Sequence, residues 1–153
     1  MNLENLSPTS ESNNASTSMP GALLGGVAAA VLGALLWGIV GKVTGGWEFK
    51  YGAVVIGILA GAGVALMGKG QSPMFGIMAA VFGLVGIVTG KALFELLVHS
   101  GWTMGEHIAY HMTFIDFIFY AATAAAGFGV AGTPAGAPVL NKIREAVPML
   151  RTS

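Results

Sequence analysis

The chain contains no cysteine. That excludes disulfides, thiolate nucleophiles and every cysteine-ligated metal site, and it leaves the redox compartment open. Charge is scarce as well: seven Lys and Arg face seven Asp and Glu, together 9% of 153 residues. A soluble domain carries about 25% charged residues, because its surface must meet water. With neither sign in excess and no basic stripe, nucleic-acid binding has no electrostatic support. The stretch GVALMGK at 63–69 lacks the Ser or Thr that a phosphate-binding loop needs after its lysine, since Gly70 follows. A Gly-x-Ser-x-Gly element is missing too. Nothing assembles a nucleophile, a base and an oxyanion donor, so neither an enzyme nor a cofactor is expected.

What is present is apolar. Hydrophobic residues make up 54% of the chain, and the mean hydropathy is +0.74. A core of this size cannot hide that much apolar surface, whereas acyl chains can solvate it. The expected class is therefore all-α, an integral membrane four-helix bundle in the cell membrane.

The spans follow from length and punctuation, with roughly 20 apolar residues needed to cross the hydrocarbon layer. The first is expected from Pro20 to Gly41 and the second, on the short side, from Tyr51 to Gly68. The third begins where Ser72 can cap and Pro73 can take the first helical position, and it runs to Val98. The fourth covers 113–132, its Thr-Phe-Ile-Asp start fitting a capping box. Residues 1–19, rich in Ser, Asn and Thr, form a disordered tail without the basic region of a secretory signal. Residues 133–153 form a second tail. There Pro138 can open a short helix with Val139, Leu140, Ile143 and Val147 on one side, to lie on the membrane or on the bundle. Trp47, Tyr51, Trp102 and Tyr110 suit the membrane–water interface. Four spans place both termini together with Lys69, Lys142, Arg144 and Arg151, against Lys42, Lys50 and Lys91 on the other side. The positive-inside rule then sets the termini in the cytoplasm, by four to three.

Two internal patterns stand out. GVAAAVLG at 26–33 aligns with GIMAAVFG at 76–83, and GAGVA at 61–65 with GFGVA at 127–131. Two tandem helical hairpins would explain this, related by an axis along the membrane normal; chance alignment of Gly/Ala-rich helices would explain it equally. Small residues also form stripes. Gly25, Gly33 and their neighbour Gly26 mark the first helix, Gly57 and Gly61 the second, and Gly76, Gly83, Gly86 and Gly90 the third. In a membrane such residues let helix backbones approach closely. A glycine-lined oligomer or pore is one use of the stripes; packing within the chain is the simpler one.

Ionisable groups near the spans are few. Asp116 is a candidate ion or proton site, or the acid of its capping box. Lys91 and Glu95, four residues apart, could form a buried gate or a pair snorkelling to the interface. His107 and His111 share a helical face at a spacing that can bind zinc, although the order is not that of a metalloprotease. Interfacial histidines are the simpler reading.

Trp37, Thr44-Gly45, Tyr51, Gly57, Gly61, Gly68-Lys69-Gly70, Ala79-Ala80 and Asp116 together resemble a loose group of small, uncharacterised bacterial multi-pass membrane proteins. The resemblance covers about residues 21 to 125 and carries neither the histidine-bearing loop nor the C-terminal tail. It implies a bacterial inner-membrane location and no activity. The expected role is structural or interactive, within the lipid bilayer, as a homo-oligomer or a subunit of a membrane complex. A small channel or transporter using the glycine stripes and Asp116 is the alternative, and a metal-dependent membrane enzyme or metal-binding protein comes third.

Overall fold

A computed structural model describes residues 17–44, 51–98, 105–106 and 113–147. The expected N-terminal tail falls largely outside these residues, as do Trp47, Trp102, Tyr110 and all three histidines.

The described chain is helical. α1 spans Met19–Val43, α2 Gly52–Met67, α3 Pro73–Val98 and α4 Phe114–Gly132. A single 3-10 turn, Pro134–Gly136, leads into α5, Ala137–Ala146. Local chemistry sets the ends. The Ser18 hydroxyl accepts from the Gly21 amide at 3.1 Å, with Pro20 in the first turn of α1. The Ser72 hydroxyl accepts from the Phe75 amide ahead of Pro73. α2 ends in a Schellman motif: the Gly70 amide reaches the Ala65 carbonyl at 3.1 Å and the Lys69 amide reaches that of Leu66 at 3.3 Å.

α2 and α3 pack on each other, and each also packs on both α1 and α4. α1 and α4 therefore occupy opposite sides of the bundle. A two-fold axis relating hairpin α1–α2 to hairpin α3–α4 would make the α2–α3 contact equivalent to an α4–α1 contact. The first is extensive and the second is not. The expected axis along the membrane normal is thus not present. Like helices lie side by side instead, α1 along α3 and α2 along α4. Within the second pair Gly61 sits against Gly127, its counterpart in the sequence alignment.

Alternation of direction gives the bundle two ends. The start of α1, the end of α2, the start of α3 and the end of α4 meet at a "turn end". There the Ser18 amide donates to the Gly68 carbonyl at 2.8 Å, and that of Ser72 to Ala131 at 3.1 Å. α5 covers this end, its Leu140 buried among Val64, Ala65, Phe75 and Ala131. Thr44, Tyr51, Lys91 and Asp116 belong to the opposite end.

Burial is sorted by size in an unusual direction. In α1 the buried residues are Ala22, Gly25, Gly26, Ala29, Ala30, Gly33, Ala34, Trp37, Gly38 and Gly41. Its exposed residues include Leu24 at 63%, Val31 at 54% and Leu32 at 57%. α3 follows in part: Ile77, Val81, Val85 and Val88 are outside and Ala79 inside, while Phe75, Ile87 and Phe94 are buried as well. A water-soluble helix would do the reverse, placing Leu and Val inside and Ala outside. Three helices, α1, α3 and α4, are long and apolar enough to cross a membrane. α2 is apolar but has 16 residues, about 24 Å at 1.5 Å per residue.

The glycines sit where helices cross. A methyl group on Gly25 would fall on the Gly63 carbonyl of α2, and one on Gly57 on the Thr123 carbonyl of α4. Gly26 faces Phe82, Gly33 faces Ile56, Gly86 faces Ala30 and Gly90 faces Trp37. Gly76 meets Gly132, and Gly83 lies against Thr123. Backbone obstructs the first two positions; side chains that can turn obstruct most of the others.

Candidate functional site

The polar residues buried inside the bundle are Lys91, Glu95, Asp116 and Thr123, at 4%, 6%, 2% and 0% exposure. Among the described residues, these are the places where the apolar interior gives way to chemistry.

Asp116 stands at the third position of α4, held by its own helix start. Its Oδ2 accepts from the Thr113 amide at 2.8 Å and from the Thr113 hydroxyl at 2.7 Å. The capping box expected from Thr-Phe-Ile-Asp is present. The other carboxylate oxygen, Oδ1, accepts from the Lys91 ammonium of α3 at 3.1 Å. The same ammonium lies 5.7 Å from the centroid of the Tyr120 ring, one turn further along α4. An anion and an aromatic face from α4 therefore converge on one cation from α3.

This arrangement corrects the snorkelling reading of Lys91 and Glu95. α3 continues to Val98, so Lys91 is roughly two turns inside its end. Its ammonium does not reach outward; it turns inward to Asp116, 25 residues away in sequence. Glu95, one turn beyond, is also buried and engaged within the chain.

An ionised group in a low-dielectric interior is costly unless a partner and hydrogen bonds compensate it. Here both carboxylate oxygens are committed, to Lys91 and to Thr113. A metal ion or a translocating cation at Asp116 would compete with the Lys91 ammonium for the same negative charge. Among the described residues no group of three His, Cys, Asp or Glu could hold a metal. His107 and His111, the zinc candidates, lie outside the described residues.

Two further polar residues act where sequence reasoning assigned nothing. The Thr123 hydroxyl, fully buried, donates to the Ala53 carbonyl of α2 at 2.9 Å and approaches its own Phe119 carbonyl at 2.8 Å. Its signal was available: a lone polar residue in the Ala-rich run 121–126 must find a partner inside the membrane. At the turn end the Gln71 side-chain amide donates to the Val130 and Thr133 carbonyls at 2.7 and 2.9 Å. It fills positions that the last turn of α4 leaves without helical donors. Nothing in the sequence marks Gln71 among turn residues.

What the arrangement does chemically is tie. Lys91–Asp116 joins α3 to α4, Thr123 joins α4 to α2, and Gln71 joins the α2–α3 turn to the end of α4. Against known proteins, no family model, no curated sequence and no solved structure matches this chain.

Proposed function

We propose that the chain is a small multi-pass membrane protein, crossing the bilayer four times through α1–α4, whose role is structural or interactive rather than catalytic. The observation that carries this reading is the inverted sorting of α1, large aliphatic side chains outside and small ones inside, together with the outward row Ile77, Val81, Val85 and Val88 of α3. Between helices in lipid there is no hydrophobic drive, so close approach of small residues and interhelical hydrogen bonds supply the cohesion. The glycine positions serve this packing, because facing helices fill them and no lumen is needed to explain them.

α2 is short for a bilayer core of about 30 Å. Like α3 it packs on all three other long helices, and among its residues only Val55 and Met67 are exposed. Neighbouring helices therefore cover most of its length, which supports counting it as the second span. Burial of Lys91 removes that residue from the loop charges of its end. The positive-inside balance then becomes Lys69, Lys142, Arg144 and Arg151 against Lys42 and Lys50, which favours a cytoplasmic turn end. A bacterial inner-membrane setting agrees with the resemblance described above.

The alternative, a small channel or transporter, rests on Asp116. Its two oxygens are both occupied in the ties described, and this favours the structural reading. The test is reconstitution of the purified chain into liposomes loaded with potassium or a proton-sensitive dye. The expected result is a protein that resists carbonate extraction and gives no flux above empty vesicles, with Asp116→Asn changing stability alone. Flux in the wild type that Asp116→Asn abolishes would transfer the assignment to the channel.

A further inference from the structure

We propose that the turn end is a docking surface for the headgroups of anionic phospholipids, with Lys69 and Lys142 as its principal cations. The proposal rests on the membrane-spanning reading above and adds a ligand to it.

The first observation is position. Met19 and Leu23 of α1, Met67 of α2 and Met74 of α3 are exposed at this end of the bundle. They mark the level to which acyl chains reach. The next polar layer outward is the 68–72 turn together with α5. With Leu140 buried in the bundle, and Val139 and Ile143 packed beside it, α5 is seated apolar side down. Asn141, Lys142, Arg144 and Glu145 are exposed. An amphipathic helix seated in this way holds its charges at headgroup depth.

The second observation is charge. On the turn end the exposed charged residues, among those described, are Lys69, Lys142, Arg144 and Glu145: three cations and one acid. On the opposite end they are Lys42 and Glu106, one of each sign. Among the described residues the excess of exposed positive charge thus lies at the turn end.

The third observation concerns Lys69 itself. It occupies the left-handed position of the Schellman motif that closes α2, with φ 57°. Glycine is the usual residue there, since a Cβ crowds the following carbonyl in that conformation. Glycines stand on both sides, at 68 and 70, yet the strained position itself carries a lysine. A role for the cation accounts for a residue that the backbone alone disfavours.

Each Lys or Arg near an anionic leaflet contributes about 1 kcal/mol, close to a 5-fold preference. The experiment places the full chain in phosphatidylcholine nanodiscs doped with spin-labelled phosphatidylglycerol or spin-labelled phosphatidylcholine, and compares the motionally restricted fractions. The wild type is expected to prefer phosphatidylglycerol at least roughly 5-fold. Lys69→Gln with Lys142→Gln should bring the ratio close to unity, and Lys42→Gln should leave it unchanged. Lys69→Gly gives opposite signs in two readouts: higher thermal stability and weaker lipid preference. Equal retention of both lipids by the wild type would overturn the proposal. So would an equal loss in Lys42→Gln, or competition by soluble glycerol phosphate at the concentration of the labelled lipid. Failure of the membrane reading would look different, because the chain would then not co-purify with the discs.

Discussion

The two ends of the bundle are closed by different chemistry. At the turn end, backbone amides of Ser18 and Ser72 and the side chain of Gln71 satisfy helix-terminal carbonyls, and the charges stay outside. At the other end the tie is a charge pair, Lys91–Asp116, buried in the interior. Chain connectivity accounts for the difference. The α2–α3 turn at 68–72 is short, and the chain leaves α4 directly into the 3-10 turn at Pro134. Short turns deliver donors straight onto neighbouring helix ends. The connections at 44–51 and 99–113 are longer, and there the helices are tied by side chains within them. Neutral hydrogen bonds are individually modest and replaceable, whereas a buried ion pair is costly to half-remove. The two ends should therefore respond differently to substitution.

The largest effect is expected at the ion pair. Asp116→Asn takes the Asp116 charge away from the buried Lys91 and should cost about 3–5 kcal/mol, read by denaturant titration in detergent micelles. Adding Lys91→Met to Asp116→Asn removes the stranded charge while the asparagine can still accept from Thr113, so the double variant should recover most of that loss. A double variant no more stable than the single would mean that the pair is not what joins α3 to α4.

Next comes packing. Gly25→Leu drives a side chain into the Gly63 backbone and should cost about 1–3 kcal/mol or prevent assembly. Gly129 has open space around it, so Gly129→Leu should change stability by less than about 0.5 kcal/mol. Comparable melting shifts for the two would contradict the helix crossings described. At the turn end Gln71→Ala removes two bonds to carbonyls and should cost about 1–2 kcal/mol. The smallest effect belongs to Lys69→Gly, a gain of about 1 kcal/mol from relief of the left-handed position. A melting temperature lowered by this change would show that Lys69 is held by contacts stronger than its backbone strain.

Much of the helix layout was legible because it depends on local punctuation. Ser72-Pro73 coincides with the start of α3, Thr113 with the cap of α4, and Thr133-Pro134 with its end. These signals act within four residues and need no knowledge of the fold. The small-residue stripes could be located for the same reason, as a property of helical spacing. Which helix each stripe meets could not be read, since Gly25 and Gly26 are adjacent in sequence yet face α2 and α3 respectively. The partner of Lys91 was hidden likewise. At four residues Glu95 is the obvious neighbour by spacing, and only the packing of α3 on α4 brings in Asp116. The relation between the hairpins was not legible, because sequence similarity constrains what each unit looks like, not how two copies dock.

Everything turns on the outward faces of α1 and α3 being in contact with acyl chains. Because the chain has no native cysteine, single cysteines at Leu24, Val31 and Val85 can carry spin labels without background. In reconstituted vesicles the account predicts strong relaxation of all three labels by oxygen, weak relaxation by a water-soluble nickel chelate, and for a label at the enclosed Ala60 little of either. Labels at Leu24, Val31 and Val85 that the nickel chelate relaxes more than oxygen does would contradict it.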